Sequence, residues 1–236
     1  MAAFLVRRKL SRPRVSAPFF VREGLRKALT DGLRPDRRLT LVSAGPGYGK
    51  TSTVADYVAQ SALPSAWLNL DPYDRDLEPF FTYLVRGLEA NWPGYESHAL
   101  ALLQSASDKR QAIPAAAGAL CEELAEWGQD GIIVVLDDFH EVEGSPAIVE
   151  AIQVLVDYLP DNAQLIVISR AIPPLRLGQL RARQQLVELG VERLRLAHDE
   201  IGALVEALSG RAPDSAELER LSRLTDGWAA SVVMAA

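Results

Sequence analysis

A strand that runs into a glycine-rich loop constrains the fold of this chain more than any other feature. The apolar run Leu39 to Ser43 leads directly into Ala44-Gly45-Pro46-Gly47-Tyr48-Gly49-Lys50-Thr51. Glycines let successive backbone N–H groups point at a phosphate chain, because they adopt positive φ and carry no side chain to block close approach. Apolar residues at helical spacing follow at Val54, Tyr57 and Val58. The sequence therefore predicts a nucleotide-binding β–loop–α unit, with the helix N-terminus facing the phosphates.

Side chains of this phosphate loop supply the chemistry. Ala44 stands where the strict motif has glycine, so the match is to the relaxed form. Lys50 places a charge near the β- and γ-phosphates, and the Thr51 hydroxyl is a ligand for Mg²⁺. Phosphate binding is predicted for Gly45, Pro46, Gly47, Tyr48, Gly49, Lys50, Thr51 and Ser52.

Composition excludes several other classes of protein. The 236 residues are 48% hydrophobic and 24% charged, which is typical of a soluble globular chain, and the net charge of −6 argues against nucleic-acid binding through the overall field. Basic residues crowd the segment from Arg7 to Lys27, whereas acidic residues dominate the rest of the chain. The single Cys121 excludes an internal disulfide, and no apolar run has the roughly 20 residues that cross a membrane. We expect a cytoplasmic protein with neither a DNA nor a membrane partner.

The pattern of apolar runs predicts the fold class. Short apolar runs alternate with amphipathic helical stretches as far as Arg195, and beyond it the pattern is helical only. This predicts an α/β fold: a three-layer P-loop NTPase with five parallel core strands, helices on both faces and a small C-terminal helical lid. We expect a nucleotide-binding domain at 1–196 and the lid at 197–236, within a longer natural protein. Beyond the loop strand, strands are predicted at Ala66–Leu70, Ile132–Leu136, Leu165–Ile168 and Leu186–Leu189.

Charged residues follow two of these strands. Asp137 and Asp138 end the most apolar run, and Arg170 follows the next. In a phosphate-loop site Asp137 would hold Mg²⁺ with Thr51, Asp138 would orient or deprotonate an attacking water, and Arg170 would sense the γ-phosphate. We therefore assign catalytic roles to Lys50, Asp138 and Arg170, and expect slow hydrolysis because aspartate is one methylene shorter than glutamate. The alternative is that these are ordinary polar residues at strand ends.

Several segments together resemble the nucleotide-binding module of the STAND class of P-loop ATPases, in particular the MalT-like branch of large LuxR-family transcriptional regulators. The resemblance covers nearly the whole chain. Its carriers are Pro13-Arg14, Val21-Arg22-Glu23, the loop, Ala66 to Asp71, Asp137-Asp138-Phe139-His140, Ser169-Arg170, Pro173-Pro174, Leu180 to Arg183 and Thr225-Asp226-Gly227-Trp228.

The resemblance implies a switch between bound ATP and ADP that uses Mg²⁺. It implies that the loop strand neighbours the Arg170 strand, that Val21 and Arg22 help to cover the adenine, and that the Gly227-Trp228 turn approaches the nucleotide. It also implies ATP-dependent self-association and an inducer, a small molecule or a protein, that acts through downstream domains missing from this chain. DNA binding would then belong to those domains.

Other functions remain open at this stage. One is a stand-alone or immune-type STAND signalling ATPase; another is a scaffold that holds ADP without hydrolysis. A small-molecule kinase is less favoured, because the region after Arg170 lacks a polar cluster for an acceptor. A ring-forming motor is disfavoured because Arg181 and Arg183 are the only candidates for an arginine that acts on a neighbour's nucleotide.

Overall fold

The computed structural model describes residues 5–15 and 21–236. Within these ranges five strands form one sheet in the order β2-β3-β4-β1-β5, and every neighbouring pair is parallel. The predicted α/β class and the five predicted strands are confirmed, with ends that shift by one or two residues. The strands are β1 (Leu39–Ser43), β2 (Ser65–Asn69), β3 (Ile132–Asp137), β4 (Ala163–Ser169) and β5 (Leu186–Leu189).

Helices connect the strands and continue past the sheet. Three short 3-10 turns, Arg7–Leu10, Pro72–Arg75 and Phe139–Glu141, accompany them. The helix α1 (Glu23–Asp31) precedes β1. Between the strands lie α2 (Lys50–Gln60), α3 (Leu77–Glu89), α4 (His98–Ser105), α5 (Ile113–Trp127), α6 (Pro146–Tyr158) and α7 (Leu177–Ala182). After β5 come α8 (Val191–Leu194), α9 (His198–Ser209), α10 (Ser215–Thr225) and α11 (Ala229–Ala235). In the described part of the chain, no helix is both long and apolar enough to cross a membrane.

Both faces of the sheet are buried, which explains the continuous apolar strands. In β3, Ile132, Val134 and Leu136 pack on one face, under α3 to α7. The alternate residues Ile133 and Val135 pack on the other face, against α1, α2 and α8. Side chains alternate between the faces of a strand, so a strand covered on both sides must be apolar at every position.

The strand order brings the phosphate loop beside Arg170. β1 lies between β4 and β5, and Ser43 at its end pairs with Ser169 at the end of β4. Because the strands are parallel, their carboxyl ends share one edge of the sheet, and a ligand binds there in folds of this kind. β1 therefore neighbours the Arg170 strand rather than the Asp137 strand, as the resemblance implied.

The last three helices enclose a small apolar cluster of their own. Leu196, Ile201, Val205 and Val232 are buried together there, so the lid has its own core. The lid is confirmed as a helical element, and the domain boundary after residue 196 stays a prediction. Leu224 of α10 lies outside this cluster, with its side chain 74% exposed.

The N-terminal cap of α10 forms only half of a capping box. The Asp214 side chain accepts the backbone N–H of Glu217 at 2.8 Å. The Glu217 carboxylate does not return to Asp214; both of its oxygens accept hydrogen bonds from Arg211 at 3.0 Å. The nearby guanidinium competes for the carboxylate, so only half of the box forms.

Candidate functional site

The phosphate loop owes its shape to two glycines with left-handed backbones. Gly47 has φ of +79° and Gly49 has φ of +72°, a region that residues with a side chain adopt only at a cost. Gly49 is the last residue before α2, which begins at Lys50. The loop and the first turn of α2 thus present free backbone N–H groups and the positive end of the helix dipole to an anion.

Lys50 lies inside this loop. Its ammonium group donates to the carbonyl oxygen of Gly45 at 2.9 Å. Burial lowers the pKa of Lys50 and Arg170 lowers it further, while the carboxylates of Asp137 and Asp138 act in the opposite direction. A single amine therefore lies within the electrostatic reach of both acids and of Arg170, at the place where a phosphate chain would sit.

Thr51 and Asp137 form the candidate Mg²⁺ site. The Thr51 hydroxyl donates to Oδ1 of Asp137 at 3.2 Å, and the Asp137 side chain is almost fully buried. Burial, helped by the charge of Asp138, raises the pKa of Asp137 to about 6. A cation would relieve this unfavourable burial of charge, and two hard oxygen donors suit Mg²⁺.

The number of protein ligands also fits Mg²⁺. Among residues 5–15 and 21–236 there is no group of three or more His, Cys, Asp or Glu side chains that could hold a metal ion. Mg²⁺ is commonly held by one or two protein oxygens, with the other positions taken by water and substrate phosphates. Thr51 and Asp137 therefore fit an ion that arrives with a nucleotide.

Asp138 lies next to this pair, in an unusual backbone conformation. Its φ of +57° is left-handed, and its backbone N–H donates to Oδ1 of Asp137 at 2.9 Å. Its side chain is half exposed at the carboxyl edge of the sheet. Arg170 is exposed at the same edge, directly after β4. The structure thus brings together the predicted residues Lys50, Thr51, Asp137, Asp138 and Arg170.

A cavity of about 580 Å³ opens between the phosphate loop and the lid. Its walls come from the loop, from the start of α2, from the chain before residue 16 and from the lid. It is lined by Arg14, Val15, Arg22, Gly47, Tyr48, Gly49, Ser52, Thr53, Leu196, Leu204, Ala229, Ala230, Val233 and Met234. Its lining is largely apolar, which suits a planar base beside the phosphate-binding loop.

The lid is hydrogen-bonded to the apex of the loop. The indole N–H of Trp228 donates to the carbonyl oxygen of Pro46 at 3.0 Å, and the backbone N–H of Ala230 donates to that of Gly47 at 3.0 Å. The fit is close: a Cβ on Gly47 would lie 2.6 Å from the indole nitrogen. The Gly227-Trp228 turn therefore contacts the phosphate loop directly.

Arg22 occupies the edge of the cavity, but its guanidinium group faces the lid. It donates to both carboxylate oxygens of Glu200 at 2.9 Å, and to the carbonyl oxygens of Leu194 and Arg195 at 2.8 and 2.7 Å. Val21 is not among the residues that line the cavity. The adenine-covering role of Val21 and Arg22 stays a prediction, and the structure adds a lid contact for Arg22.

Sequence reasoning missed most of the apolar cavity wall. The missed apolar residues are Val15, Leu196, Leu204, Ala229, Ala230, Val233 and Met234. In the sequence they are indistinguishable from residues of a small helical core, and only the Gly227-Trp228 turn before Ala229 was expected near the nucleotide.

Arg181, one of the two candidates for an arginine that acts on a neighbour's nucleotide, pairs with Glu188 in β5 at 2.6 Å. Its guanidinium is therefore engaged within the chain.

These features define a P-loop NTPase module with a helical lid. No family model matches the chain. Its sequence is 34% identical over 234 residues to the HTH-type transcriptional regulator MalT of Yersinia enterocolitica, and 33% identical to MalT of Yersinia pestis strain Pestoides F. Each match covers 98% of this chain and 25% of the regulator, so the chain spans about a quarter of the length of these relatives. Over almost its whole length the chain is therefore similar to part of the MalT regulators, as its motifs indicated.

Solved structures agree on the fold. A Walker-type ATPase of Pyrococcus abyssi superposes with a TM-score of 0.53 at 17% identity, over 94% of this chain and 68% of that one. Cdc6p of Pyrobaculum aerophilum superposes with a TM-score of 0.54 at 17% identity, over 95% of this chain and 62% of that one. At this identity the comparisons establish the P-loop ATPase fold alone.

Proposed function

We propose that this chain is an ATP/ADP switch that hydrolyses ATP slowly, and that it serves as the nucleotide-dependent control module of a MalT-like transcriptional regulator. The contact between lid and phosphate loop carries the proposal. Trp228 and Ala230 bind the carbonyl oxygens of Pro46 and Gly47, the apex of the loop. A change in the phosphates bound by the loop would act directly on the lid, and a switch needs such a state-dependent contact.

In the proposed site each residue has a separate task. Mg²⁺, when bound, neutralises charge on the phosphate oxygens. Thr51 and Asp137 hold it, and the Lys50 ammonium exchanges the carbonyl of Gly45 for phosphate oxygens. Asp138 orients a water whose oxygen bonds to the γ-phosphorus while the bond to the β–γ bridging oxygen breaks. The proton of that water passes to the Asp138 carboxylate, and Arg170 stabilises charge on the γ-phosphate.

Slow hydrolysis follows from the position of Asp138. Its side chain is short, half exposed and without a hydrogen-bond donor within 3.5 Å in the described part of the chain. Before nucleotide binds, such a carboxylate can rotate, and it must first be oriented before it activates water. Slow turnover suits a switch, because the ATP-bound state must last long enough to act.

The wider role rests on the relatives, which are named HTH-type transcriptional regulators. In our proposal an inducer acts through parts of the regulator outside this chain, ATP favours self-association, and DNA is bound by those other parts. The core, 1–196, and the lid, 197–236, would move relative to each other as the nucleotide changes. Val21 and Arg22 would cover the base.

Nucleotide binding and single-turnover hydrolysis test this proposal. We expect the purified chain to release ADP or ATP on denaturation, and to cleave bound ATP at well below one per second in the presence of Mg²⁺. Asp138→Asn should abolish cleavage and leave nucleotide affinity within about twofold. Turnover of many per second, or no bound nucleotide at any concentration up to millimolar, would contradict the proposal.

A further inference from the structure

His140 lies between two carboxylates in the turn that follows β3. Its side chain is 14% exposed, and Phe139 beside it is fully buried, which fixes the turn to the core. Nδ1 of His140 lies 3.8 Å from Oδ1 of Asp138, and Nε2 lies 3.4 Å from Oε1 of Glu141. One nitrogen of the ring thus faces the proposed catalytic acid and the other faces a neighbouring acid.

Neither ring nitrogen has a hydrogen-bond partner among the described residues, although both atoms are buried. A buried polar atom without a partner destabilises a fold, so a histidine used only for packing would be a poor choice here. In an empty active site, catalytic hydrogen bonds are often long and shorten once substrate is bound. We interpret the 3.8 Å separation between Nδ1 of His140 and Oδ1 of Asp138 as such a long contact, which shortens when nucleotide is bound.

The backbone around the ring is fixed from outside the turn, which makes Asp138 the movable partner. Nε of Arg75 donates to the carbonyl oxygen of Glu141 at 2.8 Å, and the Ser145 hydroxyl donates to the carbonyl oxygen of Arg75 at 2.8 Å. The loop after β2 therefore clamps the turn. The Asp138 side chain is about half exposed and can rotate toward the ring.

We propose that His140 is a positioning residue for hydrolysis: its Nδ1–H holds one oxygen of Asp138 so that the other oxygen faces the attacking water. This inference rests on the proposed function, because it assigns His140 a part in the same hydrolytic site. A neutral imidazole donates from one nitrogen only, so the proposal specifies the Nδ1-protonated tautomer. The competing explanation is that the ring only fills space beneath the turn.

Two amide substitutions separate these explanations. His140→Asn places an amide N–H near the position of Nδ1, whereas His140→Gln places one near Nε2. We expect His140→Asn to cleave ATP within about threefold of the wild-type single-turnover rate. His140→Gln and His140→Ala should be slower by about tenfold or more, the usual effect of losing a residue that orients a reactive group. Affinity for ADP should stay within about twofold in all three variants.

Equal rates for the Asn and Gln variants, or rates for all three variants equal to the wild-type rate, would overturn the inference. Absence of cleavage by the wild-type chain itself would instead contradict the proposed function. The comparison of Asn with Gln remains valid if His140→Ala fails to fold.

A second measurement does not depend on cleavage. The sequence has only three histidines, His98, His140 and His198, so ¹⁵N spectra of labelled histidine are readily assigned. With Mg²⁺ and a non-hydrolysable ATP analogue, we expect His140 to be protonated at Nδ1, and its Nδ1 signal to shift in Asp138→Asn while that of His198 does not. An Nε2-protonated ring, or a spectrum indifferent to Asp138→Asn, would overturn the inference.

Discussion

Trp228 donates its indole N–H to the carbonyl oxygen of Pro46 across 182 residues of sequence, at 3.0 Å. The bond joins the turn that opens the last helix to the apex of the phosphate loop. Beside it, the backbone of Ala230 binds the carbonyl of Gly47. The lid therefore contacts the loop through two of its backbone carbonyl oxygens.

Trp228→Phe should loosen this contact while keeping an aromatic ring in place. The lost hydrogen bond is worth about 1 kcal/mol, which corresponds to about fivefold faster release of a fluorescent ADP analogue in stopped-flow measurements. Trp127→Phe is the matched control, because Trp127 packs with Trp92 and Tyr95 in a separate aromatic cluster. Unchanged release in Trp228→Phe, or an equal effect in the control, would contradict the role of the indole N–H.

Gly47→Ala and Gly49→Ala should differ, although both residues have positive φ. Each substitution carries a backbone cost of about 1 kcal/mol. Only at Gly47 would the new Cβ also collide with the lid, 2.7 Å from Cβ of Ala230, whereas at Gly49 it would meet no atom within 4 Å. We expect Gly47→Ala to make the chain more susceptible to proteolysis at the lid, and Gly49→Ala to leave the lid protected. Equal cleavage of the two variants would argue against close packing of lid on loop.

Asp137 predicts a pH dependence whose sign is opposite to that of a salt-bridged acid. Its folded pKa of about 6 lies above the ordinary value of 3.8, so the folded chain binds more protons between these two values. This group therefore stabilises the nucleotide-free chain fully below pH about 4, and that stabilisation is lost as pH rises through 6. A shift of about two units amounts to about 3 kcal/mol in total.

The comparison with Asp137→Asn isolates this effect from other titrating groups. The amide oxygen still accepts from Thr51, so we expect the variant to be more stable than wild type at pH 7.5 and to lose that advantage near pH 4. Urea unfolding without nucleotide or Mg²⁺ measures the stability difference at each pH. In the same variant, Mg²⁺ should no longer increase the affinity for ATP. A stability difference that is independent of pH would show that the carboxylate is not destabilised by burial.

Arg22 should stabilise the lid far more than an ordinary surface ion pair does. Its side chain is 9% exposed, and it bridges Glu200 and the carbonyls before α9. We expect Arg22→Met to lower the free energy of unfolding by about 3 kcal/mol, because Glu200 loses its partner at a partly buried site. Arg34→Met is the control: Arg34 pairs with Asp31 and Asp36 at the surface, where water and salt screen such pairs and they add little to stability. Similar losses in both variants would be incompatible with a clamp at Arg22.

The fold could be predicted because each of its elements is defined by a short, continuous segment of sequence. Each strand is a short run of apolar residues, and the loop is defined by three glycines and Lys50 within eight residues. The carboxyl-edge residues Asp137, Asp138 and Arg170 could also be found, since parallel strands end at one edge. Their exact contacts remained out of reach, because the positive φ of Asp138 leaves no trace in the sequence.

The cavity wall could not be predicted for a different reason. Val15, Leu204 and Val233 come from three distant segments, and each looks like a residue of a small apolar core. Packing of the lid onto the loop decides their role, and no local pattern encodes that packing. Similarly, the half-formed box at Asp214 depends on Arg211, whose side chain competes for Glu217.

Amide hydrogen exchange at Ala230 tests the central claim most directly. Its backbone N–H donates to the carbonyl of Gly47, while the N–H of Gly210, elsewhere in the lid, donates within its own helix to Glu206 at 2.8 Å. If the lid responds to the phosphates, protection at Ala230 will differ between the ADP-bound chain and the chain bound to Mg²⁺ and a non-hydrolysable ATP analogue, by about tenfold or more, with Gly210 unchanged. Identical protection of Ala230 in the two states would contradict a switch that acts through the lid.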